Sequence, residues 1–97
     1  MPTYVSLVRF TDQGMRNVKD VPKRIGSAEK LFEQVGARLS QLYLTMGRYD
    51  YVAIIDAPDD ETATKAALAL SSLGNVRTET LRAYARAEID KIIGGLP

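Results

Sequence analysis

"LYLTMGRYDYVAIIDAPDD", residues 42–60, decides the fold. Two apolar runs flank Gly47-Arg48-Tyr49-Asp50. Strands this close in the chain can pair only as an antiparallel hairpin. Residues 38–46 form the first arm. Leu42, Leu44 and Met46 share one face, and Leu39, Gln41, Tyr43 and Thr45 share the other. Residues 49–57 form the second arm, joined through Gly47-Arg48, where Gly47 supplies backbone freedom. A helix follows over residues 58–74. Asp59 is its expected N-cap, and Asp60 and Glu61 put negative charge at the positive end of its dipole. Ala63, Ala66, Ala67, Leu70 and Leu73 make its apolar stripe, and the small alanines imply close packing on a sheet.

Working outward, residues 3–10 ("TYVSLVRF") are β-branched and aromatic, the signature of a strand. Val5 and Leu7 point one way; Tyr4, Ser6, Val8 and Phe10 point the other. "TDQG" (residues 11–14) breaks the strand, and a short helical turn through Met15 and Val18 follows. Val21, Ile25, Ala28, Phe32 and Val35 then recur at helical spacing, and Gly36 stands where a left-handed C-cap belongs. Residues 75–85 read as a fourth strand, and residues 86–96 as a short terminal helix carrying Ile89, Ile92 and Ile93. The order is βαββαβ plus a tail helix. It predicts an α+β, ferredoxin-like domain over residues 1–97, with a four-stranded antiparallel sheet and two helices on one face.

Composition narrows the chemistry. The chain of 97 residues has 13 basic and 12 acidic side chains, a net charge of +1. That balance offers neither the basic footprint of nucleic-acid binding nor a polybasic membrane signal. No cysteine and no histidine occur, so thiolate chemistry, disulfides and the usual neutral-pH general base are excluded. No cofactor and no metal site is expected. Asp56, Asp59, Asp60 and Glu61 lack calcium-loop spacing and read as a helix start. Without a leader-like N-terminus or a long apolar run, cytoplasmic location is the expectation.

A sheet covered on one face leaves the other open. The strand pattern assigns Tyr4, Val8, Phe10, Leu39 and Tyr43 to that open face, together with Ser6, Gln41, Thr45, Thr78, Thr80 and Arg82. So apolar a row calls for a second copy stacked on it, giving a dimeric α+β barrel. Its hydrogen-bonding groups serve either cross-strand pairing or a polar-lined pocket between sheet and helices or within the barrel.

"SLVRFTDQGMRNVKDVPKR", "YLTMGRYDYVAIIDAPDDE" and "LGNVRTETLRAY" together resemble the GYD-domain family of small bacterial and archaeal proteins. Gly47, Tyr49 and Asp50 match the element that names it. The resemblance implies a ferredoxin-like dimeric α/β barrel without an assigned activity. The hairpin is also similar, more loosely, to the effector-binding domains of leucine-responsive regulators. This chain has no helix-turn-helix to go with it.

Eight polar residues are candidate ligand contacts: Arg24, Tyr43, Thr45, Tyr49, Asp50, Arg77, Thr78 and Arg82. The arginines could clamp a carboxylate, and a tyrosine could orient a substrate. A buried Asp50 could act as a base. Each also has a plainer role: cross-strand aromatic packing for the tyrosines, an amide tether for Asp50, ion pairing for Arg77. The expected function is a homo-oligomeric small-molecule-binding or regulatory module. A cofactor-free enzyme acting on a small organic acid and a structural interaction protein are the alternatives, and the missing histidine weighs against the enzyme.

Overall fold

Local sequence rules set most element ends. The computed structural model describes residues 1–97. Strand β1 (Thr3–Phe10) leads into a one-turn helix α1 (Asp12–Arg16), a 3-10 turn (Val18–Asp20) and helix α2 (Val21–Val35). Gly36, at φ 90°, ends α2 in the left-handed conformation that glycine adopts without strain. Strands β2 (Arg38–Leu44) and β3 (Tyr51–Asp56) follow, then α3 (Asp60–Ser71), β4 (Val76–Ala83) and α4 (Arg86–Gly94). The Asp59 carboxylate caps α3 by accepting the Thr62 N–H at 2.8 Å.

The sheet order is β2-β3-β1-β4, with every neighbouring pair antiparallel. This is the expected ferredoxin-like α+β arrangement. The β2–β3 connection is longer than the two-residue turn read from the sequence. Pairing stops at Leu44–Tyr51, so residues 45–50 form a loop.

Which face is covered differs from expectation. Tyr4, Ser6 and Val8 are buried beneath the helices, and Val5 and Leu7 lie on the open side. The strand partners turn with them. Ile55, Ala53 and Tyr51 oppose Tyr4, Ser6 and Val8 on β3; Arg82, Thr80, Thr78 and Val76 oppose Tyr4, Ser6, Val8 and Phe10 on β4. Alternation sorts β1 into two sets, but both are apolar, so it does not say which set meets the helices. Small residues at the contact decide. Ser6 and Ala53 are paired, and Phe32, Ala63 and Ala66 pack into the same buried cluster as Ala53, Tyr4 and Ile55. Leu39 is also inward, because the β2 register shifts between Leu39 and Gln41. Gln41 and Tyr43 do lie on the open face, where they oppose Ile54 and Val52.

The open face therefore carries Val5, Leu7, Val52, Ile54, Tyr43 and Leu81 in adjoining register. Helix α4 stands apart, packing on no other element to a comparable extent. Its Ile89, Ile92 and Ile93 are 45%, 46% and 58% exposed. The accessible surface totals 6687 Å². A compact monomer of this mass exposes about 5,500 Å², leaving an excess of about 1,200 Å². The radius of gyration is 14.6 Å, against about 12.5 Å for a compact chain of this length. No helix is long and apolar enough to cross a membrane.

Candidate functional site

Three separate stretches of sequence converge at the end of β1. The first is the loop of residues 45–50. Thr45 donates its N–H to the Asp50 carbonyl at 2.8 Å and its hydroxyl to the Tyr49 carbonyl at 2.7 Å. Gly47 reverses the chain at φ 104°. Asp50 then bonds β1 twice: its N–H donates to the Val8 carbonyl, and its carboxylate accepts the Phe10 N–H, both at 2.8 Å. An aspartate here extends the sheet by one rung that backbone alone could not make.

The second and third stretches are Thr11–Gly14 and Gly74-Asn75. The Thr11 N–H donates to the Asn75 carbonyl at 3.0 Å, and the Thr11 hydroxyl donates to the Gly74 carbonyl at 2.5 Å. The same hydroxyl caps α1 by accepting the Gly14 N–H at 3.1 Å. Gln13 donates to the Leu73 carbonyl and to Asn75 Oδ1. Gly14 is buried so tightly that a Cβ there would lie 2.0 Å from the Asn75 carbonyl oxygen. Only glycine permits that approach.

Beneath this knot lies a cavity of about 360 Å³ between the sheet and helices α2 and α3. Its walls are mostly apolar: Ile25, Ala28 and Phe32 from α2, Leu70 from α3, Val8 and Ala53 from the sheet. Ser6, Tyr51, Thr78, Arg24 and Asn75 supply polar groups. Ser6 is already paired with Thr80 at 3.0 Å. Tyr51 is buried and meets Phe10 edge-on, with ring centroids 5.1 Å apart at 86°. Burial pushes its phenol pKa up, and the nearby Arg24 charge opposes that rise. Arg24 is held over the Phe10 ring at 5.8 Å by donating to the Asn17 and Gly14 carbonyls at 2.9 and 3.2 Å.

The eight candidate residues fall into separate places. Arg24 and Thr78 line the cavity. Thr45, Tyr49 and Asp50 brace the loop, with Arg9 lying 5.0 Å above the Tyr49 ring. Tyr43 is exposed on the open face and donates to Gln41 at 3.0 Å. Arg77 is exposed on that face, opposite Arg9 rather than an acid, and forms no ion pair. Arg82 is at the far end of β4, tied to the Thr3 and Ala83 carbonyls and to Glu88 at 3.4 Å, with its guanidinium over Tyr84 at 4.3 Å. The three arginines therefore do not converge on one carboxylate. Tyr51, absent from the eight, is the tyrosine that lines the cavity. Its strand position opposite Val8 was the available signal. At the Arg82 end, the Tyr4 hydroxyl donates to Asp60 at 2.5 Å. That bond, with burial, pushes the Tyr4 pKa up to about 12.

Comparison with known proteins places this geometry in a family. The GYD domain model matches residues 4–93. The chain belongs to the GYD domain family. Its GYD domain is 36% identical over 90 residues to the "Glutamine synthetase and cystathionine beta-lyase binding protein" of Thermus thermophilus, covering 92% of this chain and 95% of that protein. A crystal structure of a protein from Thermus thermophilus superposes with a TM-score of 0.56 at 27% identity, covering 89% of this chain and all of the other. The feast or famine regulatory protein of M. tuberculosis, solved with L-methionine, superposes with a TM-score of 0.65 at 16% identity. The GYD chain covers 54% of that regulator's length, and the likeness is one of fold. In this GYD domain the Gly-x-Tyr-Asp element is a brace: Gly47 turns the loop and Asp50 fastens it to β1.

Proposed function

We propose that this GYD domain, spanning residues 1–97, is a homo-oligomeric small-molecule-binding or regulatory module of the cytoplasm, with copies paired through their open sheet faces. One observation carries the reading. Val5, Leu7, Val52 and Ile54, each part-buried, adjoin the exposed Tyr43 and Leu81 on the face opposite helices α2 and α3, in a chain that exposes about 1,200 Å² more than a compact monomer should. A standard interface takes about 800 Å² from each partner, so the excess is enough for one. A twofold axis would match each face with itself, burying the patch in a dimeric α+β barrel. A binding role fits better than catalysis. Asp50, the one candidate base, spends its carboxylate on the Phe10 amide, and no arginine stands with it.

The relative's name supports protein partners as well. By that analogy, glutamine synthetase from the same organism is the first partner to examine. Sedimentation equilibrium tests the pairing: a dimer or larger assembly is expected, and Leu7→Arg should return a folded monomer. A wild-type chain that stays monomeric at high micromolar concentration overturns the reading. Surface plasmon resonance against glutamine synthetase then tests the partner, and absence of binding by the assembled protein removes that enzyme.

A further inference from the structure

We infer that the cavity between the sheet and helices α2 and α3 is a binding site for a small monocarboxylate with an apolar body, its head held by Tyr51 and Arg24. The inference rests on the small-molecule reading above and names the ligand's chemistry. Three observations lead to it.

The cavity itself is the first. At about 360 Å³ it is the size of a small ligand site, and it is floored by small residues that the neighbouring side chains do not fill. It opens to solvent, so its mostly apolar lining is within reach of a ligand whose apolar part would leave water there.

Tyr51 is the second. Its ring is buried, yet its hydroxyl takes part in no hydrogen bond of the protein, and its raised pKa comes from burial rather than from a bonded partner. No sealed-off side-chain oxygen or nitrogen lacks a partner. The hydroxyl of this cavity-lining residue is therefore reachable by solvent and is free to donate to a ligand in place of water.

Charge beside the cavity is the third. A polar recess formed by Asn17, Asp20, Lys23, Arg24, Ser27 and Asn75 adjoins the cavity and shares Arg24, Ser27 and Asn75 with it. Lys23 and Arg24 against Asp20 leave one net positive charge there. An apolar hole beside a single net cation favours one anionic head on an apolar tail. Arg24 uses one N–H of each terminal nitrogen on the Asn17 and Gly14 carbonyls and retains others for a ligand. Those two bonds also fix the guanidinium in place before the ligand arrives.

Octanoate is the probe, used below its micelle concentration, with octan-1-ol and octylammonium as tail-matched controls. Isothermal titration calorimetry on the intact chain should show saturable octanoate binding. Octanol should bind at least about tenfold more weakly, and octylammonium not at all. Tyr51→Phe keeps the ring and removes only the donor; it should weaken octanoate severalfold. Ala28→Leu fills the hole and should abolish binding while the circular dichroism spectrum stays folded. Equal affinity for octanoate and octylammonium, unchanged binding to folded Ala28→Leu, or no octanoate binding overturns the inference. Sedimentation of the same samples keeps the two proposals apart. The cavity lies within one copy, so an assembled protein that ignores octanoate loses only this inference, and a monomer that binds it loses only the pairing.

Discussion

The covered and open faces of the sheet meet the same demand with opposite means. The covered face mixes two small side chains, Ser6 and Ala53, with Tyr4, Val8, Tyr51 and Ile55, and helices bearing Ala63 and Ala66 close over it. Its stabilisation is complete within one chain. The open face carries aliphatic groups, Val5, Leu7, Val52 and Ile54, that their strand neighbours bury only in part. Burying them requires something from outside. Both faces carry large apolar groups; what sets the covered face apart is the Ser6 and Ala53 pair, where helices can come close.

The comparison breaks first where the covered side is cut deepest. Phe32→Ala removes the helix α2 ring of the main cluster and should cost about 3–5 kcal/mol in urea unfolding, independent of protein concentration. Gly14→Ala forces a methyl group into the Asn75 carbonyl and should cost about 2–3 kcal/mol, with backbone on both sides unable to yield. Asp50→Ala strands the Phe10 N–H at the sheet end and should cost about 1–3 kcal/mol, whereas Asp50→Asn, which keeps an acceptor, should cost less. Leu7→Ala sharpens the contrast. In dilute solution it should cost about 1 kcal/mol, as surface truncations do, and its penalty should grow with protein concentration if copies cover that face.

The smallest effect is an alkaline one. The Tyr4 pKa in the folded chain is about 12, above its ordinary 10.0. The phenol's contribution is therefore whole below pH 10 and is lost as pH rises toward 12. Tyr4→Phe should make the fall in melting temperature over that window shallower. An unchanged alkaline limb would show that the Tyr4–Asp60 bond does not carry the shift.

Elements with local causes were legible in the sequence. Asp59 and Gly36 announce helix ends because the groups they satisfy lie within a few residues. The antiparallel pairing of β2 with β3 followed from their closeness in the chain. What stayed hidden depends on distant partners. The facing of β1 turned on small residues in β3 and α3, and one bulge after Leu39 moved that side chain from one face to the other. "TDQG" and "GNVRT" look like separate marks in the chain, but Thr11 and Gly74 are 63 residues apart and bonded. Two of the eight candidate residues coincide with the cavity lining. Arg24 and Thr78 reach the cavity, while Tyr43 and Tyr49 drew attention from Tyr51 because no local rule tells three tyrosines of one hairpin apart.

Helix α4 is nine residues long, shorter than the roughly 12–15 at which isolated helices become stable in water. Glu88, 3.4 Å from Arg82, ties it to the body, while the Ala85 amide donates to Glu88 within the helix's own first turn. Its backbone hydrogens should then exchange with deuterated water almost as fast as those of a loose peptide, until something covers the three isoleucines. Exchange at Ile92 and Ile93 is thus a clock. Slow ticking marks a molecule in company, and it can be read without knowing who the company is.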